Sequence, residues 1–348
     1  MRALAERNGH STLAKEVAMT TKNQVLDGDK WKEIIREYQN PNFLKATGQV
    51  FTSVIPYLGM MVLMYFTINI SYWLTLLLAI PTGGFAVRTF IIFHDCGHQS
   101  FWGSKNKRAN DITGVITGIL TFTPYHIWRR NHAKHHATVG KLDQRGKGDV
   151  WMLTTEEWEG ANQWKRLAYR IYRFPLILFT LGAWLNIIVF QRFPIGKLDR
   201  QDKRSILITD LVLAIIIVLV CMLIGLKAYL LVHIPAMMIA ASAGVWLFYV
   251  QHQFPGAYWA RGREWKYIRA CMEGSSFYQL PRLLQFFTGN IGFHHIHHLS
   301  HLIPNYRLED CLNEHPELAV KPISLKDTLA LLRIRLWDES KNIYVGIP

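Results

Sequence analysis

The sequence predicts an all-α integral membrane protein: four transmembrane helices in two hairpins, with a cytoplasmic helical cap. Three observations carry this. Half of the 348 residues are hydrophobic, yet mean hydropathy is only +0.08, so the apolar residues are gathered into runs diluted by charged stretches. Four of those runs reach the roughly 20 residues that a helix needs to cross a hydrocarbon core of about 30 Å. The basic residues, 39 Lys and Arg in all, are nearly absent from the short connections within each pair of runs.

The first run lies at about 50–68 and the second at 72–93, with only "NIS" between them. The third, at 206–226, holds "LVLAIIIVLVCMLIGL" without a charge from Leu211 onward. The fourth, at 229–250, is interrupted only by His233 and Pro235. Connections this short cannot hold a domain, so each pair is read as a hairpin. Lys227 is the lone Lys or Arg at either turn, whereas the amino terminus, 94–205 and everything after Gln251 are rich in both. Basic loops stay on the cytoplasmic side. Both termini are therefore placed there, in a plasma (inner) membrane. The chain 1–348 reads as one membrane-bound domain whose cap is built from 94–205 and 251–348. Its first twenty residues carry charges where a signal peptide needs an apolar core, which leaves the first span as the insertion signal. A soluble fold with very apolar core helices does not account for four runs of spanning length.

Two further segments, "DITGVITGILTFTPYHIW" and "FPLILFTLGAWLNIIVF", are apolar too. They are read as interfacial or partly inserted helices. Six spans are the alternative. The net charge of +14 follows from topology and attraction to anionic headgroups, and no pattern points to nucleic acid. Cys96, Cys221, Cys271 and Cys311 are scattered, which argues against a disulfide framework.

Of 15 histidines, eight take regular spacing in three clusters: His94 and His98 in "HDCGH", His132, His135 and His136 in "HAKHH", and His294, His297 and His298 in "HHIHH". All three clusters fall on the cytoplasmic side. On a helix, i,i+3 and i,i+4 spacing sets imidazoles about 5 to 6 Å apart, close enough to share a metal. Eight imidazoles exceed what one ion can use, so the cap is expected to carry a histidine-rich di-metal site. Imidazole alone accepts zinc, copper, nickel or iron. Asp95, inside the first cluster, is placed to orient a ligand ring. The same role is open to Asp111, Asp149 and Asp310, which read equally as surface charges.

The order HxxxH, HxxHH, HxxHH around two hairpins resembles the membrane-bound fatty acid desaturases, histidine-box non-haem di-iron enzymes. The resemblance runs from about Gly48 to Leu312. "PYHIWRRNHAKHHATVGKLDQRGKGDVW" and "TGNIGFHHIHHLSHLIPNYRL" are most similar to the bacterial acyl-lipid branch. The acyl-coenzyme A branch is less similar, because its first box usually has four intervening residues where this chain has three. The resemblance implies two iron ions, dioxygen as co-substrate, and a cis double bond introduced by C–H abstraction into acyl chains of membrane lipids. It also implies a ninth ligand, His252, from "FYVQHQFPGAYW". The asparagine that supports one metal in the acyl-coenzyme A branch is here Phe248, which leaves that metal a more open position.

Removing hydrogen from an unactivated methylene needs an oxidant beyond any side chain, which a redox-active metal pair supplies. The chain has no dinucleotide or flavin motif, so a separate electron donor such as ferredoxin or flavodoxin is expected on a basic surface that includes Arg129, Arg130 and Lys134. His295 and His301 are read as outer or surface residues, His126 as interfacial, and His10, His233 and His315 as lacking partner spacing. Desaturation leads. A hydroxylase or other oxygen-inserting lipid oxidase on the same scaffold is the alternative, ahead of a metal transporter, which would need polar residues along the spans.

Overall fold

The computed structural model describes residues 30–146, 149–193 and 198–348; His10 and the amino-terminal segment lie outside these. A short amphipathic helix, α1 (Lys30–Tyr38), leads into α2 (Phe43–Thr67) and α3 (Tyr72–Gly97), which pack along each other. The side chain of Asn42 starts α2 by accepting from the Lys45 N–H at 2.9 Å. This satisfies one of the donors that a helix start leaves over. Both long helices contain a proline, Pro56 and Pro81, and neither breaks there. A continuous apolar environment tolerates such a residue when neighbours fill its place.

Two shorter helices follow, α4 (Lys107–Leu120) and α5 (Tyr125–Thr138), separated by a bend at Phe122 and Pro124. The apolar segment spanning this bend is thus two elements. The second apolar segment lies beyond α6 (Gln163–Tyr172) and is a π-helical turn at Ile177–Leu181 running into α7 (Gly182–Ile188). α6 and the stretch Ile177–Arg192 meet at 66°, which gives a bent pair that could count as a fifth span.

α8 (Arg200–Ile224) opens with a reciprocal cap: Asp199 accepts from the Asp202 N–H at 2.8 Å, and Asp202 from the Asp199 N–H at 3.2 Å. A single residue, Gly225, with φ of +81°, joins it to α9 (Leu226–His252). Only glycine adopts that conformation freely. The turn therefore falls at Gly225, inside the expected third run, and Lys227 and Ala228, the residues left between the two runs, are already helix. α2, α3, α8 and α9 are the described helices long and apolar enough to cross a membrane, up to a mean hydropathy of 3.1 in α8. Leu211, Val218, Leu219, Met222 and Leu223 stand exposed on α8, as befits a helix facing lipid rather than water.

The remainder is short elements: α10 (Tyr267–Glu273), α11 (Arg282–Phe287), α12 (His294–Leu299) and α13 (Asn305–Glu314). The fold is mostly helical but not all-α. Leu153–Thr154, Leu336–Asp338 and Ile343–Val345 form a three-stranded sheet, and Phe277–Gln279 pairs in parallel with Pro322–Ser324. Strands of two or three residues are too short to show an alternating pattern. They serve to pin loops, and the Tyr278 N–H donating to Gly292 O at 2.8 Å holds the approach to α12.

Candidate metal centre

α3 runs on past its apolar part and presents His94 and His98 at its end, with His98 as its cap. α5 supplies His132, His135 and His136, the last residue of α9 is His252, and α12 supplies His294, His297 and His298. These nine imidazoles divide into two abutting sets: His94, His98, His132, His136 and His297 in one, and His135, His252, His294 and His298 in the other. The division cuts through the clusters. Residues four apart on a helix differ by about 40° and stay together, whereas adjacent residues differ by about 100° and part. His132 and His136 therefore face one set and His135 the other; His294 and His298 likewise part from His297.

Within each set the ring nitrogens converge. Nε2 of His132 lies 3.0 Å from that of His94 and 3.2 Å from that of His136, which is 3.1 Å from that of His297. In the second set, His135, His252, His294 and His298 follow in a chain of Nε2 contacts at 3.1, 3.0 and 3.1 Å. His98 completes the first set, its ring centroid 4.6 Å from that of His136 and its Nε2 buried without a hydrogen-bond partner. A neutral imidazole has one N–H, so converging Nε2 atoms cannot all satisfy one another. Metal–nitrogen bonds of about 2.1 Å at right angles would set neighbouring donors about 3.0 Å apart, and the observed spacings fit that arrangement. Rings of His136 and His298 stack at 4.1 Å across the boundary between the sets.

Electrostatics favours the same chemistry. Burial, reinforced by neighbouring imidazoles, holds His98, His132, His136, His294, His297 and His298 well below the ordinary imidazole range. The rings are therefore neutral at pH 7 and offer lone pairs. No carboxylate enters either set, but one stands behind each. Asp95, almost fully buried, accepts from His94 Nδ1 at 2.9 Å through one oxygen; the other accepts from Asn305 N and Nδ2 at 2.6 and 2.8 Å. Asp149 accepts from His135 Nδ1 at 2.7 Å. Burial pushes the Asp149 carboxyl up, but the hydrogen bond and charge of His135 outweigh it and leave the group below its usual value. Gly274 O stands 3.3 Å from His252 Nδ1. Trp128 stacks on His132 with centroids 4.4 Å apart, and Gly97 makes room for it, since a Cβ there would lie 2.9 Å from the indole.

The matching segment of the fatty acid desaturase family model spans residues 71–324, which includes all nine histidines. The chain belongs to the fatty acid desaturase family. It is 43% identical to a fatty acid desaturase of Bacillus subtilis over 91% of each chain. It is 26% identical to the sn-1 oleoyl-lipid 12-desaturase of Synechocystis sp., covering 80% of this chain and 79% of the relative. A third relative, 29% identical, is the sn-1 acyl-lipid omega-3 desaturase (ferredoxin) of Nostoc sp., covering 67% of this chain and 64% of the relative. The protein is accordingly an oxidoreductase of fatty acyl chains.

In this desaturase the other sequence readings divide. Asp149 is no surface charge but the partner of His135. Asp111 instead binds Gln99, Tyr125 and Arg129, and Asp310 forms an exposed pair with Lys45. His295 is fully buried against Phe277, 5.8 Å between centroids, and belongs to neither set; it is not a surface residue. His301 packs its ring 5.0 Å from that of His98. His126 reaches Gln201, His315 pairs with Glu317, and His233 stacks on Tyr229. Arg129 and Arg130 are engaged in ion pairs with Asp111 and with Asp199 and Asp202. Asn305 escaped the sequence reading altogether, because it lies outside every histidine spacing. All four cysteines are free.

Proposed function

We propose that the chain desaturates fatty acyl chains esterified in membrane lipids, with two iron ions and dioxygen, to give a cis double bond. The observation that carries the reading is the pair of abutting sets of buried Nε2 atoms at the ends of apolar helices. His94, His98, His132, His136 and His297 would hold one ion, and His135, His252, His294 and His298 the other. When bound, an iron pair supplies the change of oxidation state and the dioxygen chemistry that side chains lack. The choice of iron over zinc rests on the family, since imidazole accepts both. Asp95 and Asp149 keep the proton on Nδ1 of His94 and His135, which aims Nε2 at the ion. Phe248, with its ring centroid 5.1 Å from that of His135 and 4.9 Å from that of His252, keeps one side of the second set apolar.

The printed names of the Synechocystis and Nostoc relatives support an acyl-lipid substrate, and the latter supports ferredoxin as donor class. A separate ferredoxin or flavodoxin would dock on the basic face near the sets through charge complementarity. In this reading α2 with α3 and α8 with α9 are membrane hairpins of a single domain, 1–348. The cap, 94–205 and 251–348, lies with both termini on the cytoplasmic side of the inner membrane. The decisive experiment expresses the chain, with iron and a reductase system, in a host lacking unsaturated lipids. Mass spectrometry should locate one new double bond in lipid-esterified chains, with close to two irons per protein. Hydroxylated products, or one tightly held zinc with no response to iron, would refute the reading.

A further inference from the structure

Arg88 stands outside the machinery described so far. It is the only Asp, Glu, Lys or Arg between Lys45 and Asp95. Six residues before His94 on α3, it lies about 9 Å along the helix axis from the histidine sets. Its guanidinium is half-buried against α11, donating through Nη1 to the Phe286 carbonyl and lying 4.0 Å from the centroid of the Phe286 ring. Nε is buried without a hydrogen-bond partner, and no carboxylate among the described residues pairs with the group. Around it α11 exposes Leu283, Leu284 and Phe286, an apolar surface in which an uncompensated cation is costly. Phe286 takes one of the five N–H donors that a guanidinium offers in a fixed fork. The charge and the remaining Nη donors are left for an anion.

We propose that Arg88 binds the phosphate of the substrate phospholipid, which seats the headgroup beside α11 while the acyl chain runs towards the histidine sets. The proposal rests on the acyl-lipid reading above and names the headgroup chemistry that the reading leaves open. A guanidinium pairs with phosphate through two parallel hydrogen bonds, a geometry that an ammonium cannot reproduce. The exposed leucines and Phe286 supply the apolar contact that a lipid, unlike free phosphate, needs. The position suits delivery. α11 is followed directly by the turn that begins α12 at His294, and in that turn Gly289 sits against Ile91 of α3. Arg88 thus lies next to a continuous piece of chain ending at the second set.

The test uses the full-length, iron-loaded protein in vesicles of galactosyl diacylglycerol with graded amounts of phosphatidylglycerol carrying the same saturated chains. Turnover of each lipid is measured with supplied reductant, and lipid retained by the purified protein is measured by native mass spectrometry. The native protein should prefer phosphatidylglycerol. Arg88→Gln should raise its half-saturating fraction about tenfold, the worth of one charge-assisted hydrogen bond, while maximal turnover and iron content hold. The preference over galactolipid should vanish, and Arg88→Lys should recover part of it. An unchanged half-saturating fraction in Arg88→Gln, or equal losses on both lipids, would overturn the proposal. Turnover of acyl-coenzyme A with neither lipid used would instead refute the acyl-lipid reading. Retention would still judge the phosphate contact: loss of phosphatidylglycerol from Arg88→Gln supports it, and unaltered retention overturns it.

Discussion

Replacing Asp149 with alanine should weaken metal binding in the second histidine set, leaving it underfilled at limiting iron, while the first set is affected less. The carboxylate accepts from His135 Nδ1 at 2.7 Å, and His135 is almost wholly buried. Without Asp149 the Nδ1–H has no acceptor, and a buried unsatisfied donor costs about 1–3 kcal/mol. Ligation through Nε2 requires that proton to stay on Nδ1, so the cost falls directly on metal binding. Loss of such a supporting partner typically lowers metal affinity or activity 10- to 100-fold, about 1.4–2.7 kcal/mol. Asp149→Asn retains an acceptor and forfeits the charge. Charge-assisted hydrogen bonds are about twice as strong as neutral ones, so the asparagine variant should fall midway. Asp310→Ala is the control: its pair with Lys45 at 3.0 Å has both side chains largely in the open, and such pairs are worth roughly 0–1 kcal/mol. The assay titrates the metal-free protein with iron under reducing, oxygen-free conditions and then measures lipid unsaturation. Full occupancy at limiting iron and normal unsaturation in Asp149→Ala would refute the assigned role.

The two-set division makes His297→Ala and His298→Ala each abolish double-bond formation, with iron lost from different sets, while His295→Gln keeps measurable activity; metal content and fatty acid analysis at equal expression distinguish these outcomes. The metal-free protein should lose stability on acidification. Burial keeps His136 and His298 neutral in the fold, whereas unfolded imidazoles take up protons below about pH 6.5. Its unfolding midpoint in detergent should thus be level above that pH and fall below it, and a midpoint that rises on acidification would contradict the burial. Burial also pushes the thiols of Cys271 and Cys311 up to about 12, so neither forms thiolate at pH 8. Maleimide should label both only after unfolding, as read by peptide mass spectrometry.

The long apolar helices and eight of the nine converging histidines were legible because each is written in a local signal, a run of spanning length or a regular spacing; His252 has no such spacing and was implied only by the family resemblance. The division of the histidines was latent in the same spacing: it needed only the recognition that adjacent residues on one helix point to different ions. Asn305 was not legible, and Asp149 could not be told from a surface charge. Asp149 reaches His135 from a loop 14 residues downstream, and Asn305 reaches Asp95 across 210 residues. Neither contact leaves a periodic trace. The small sheets were hidden for a related reason, since their pairings are non-local and their strands too short to alternate. The turn at Gly225 was misplaced by a residue or two because hydropathy does not register backbone handedness.

α5 and α12 each contribute to both histidine sets, so the two proposed ions hang from common beams. Filling one set fixes the tilt and rotation of both helices and thereby assembles most of the other. Loading of the native protein should therefore be cooperative, the second ion binding more tightly than the first, and an emptied set should weaken its neighbour without emptying it. A designer who wants a tightly loaded single-metal version needs more than the deletion of one histidine, because the deletion loosens a helix that the surviving ion also needs. The spare positions would have to be rebuilt as packing, so that hydrophobic contact holds α5 and α12 where coordination did before.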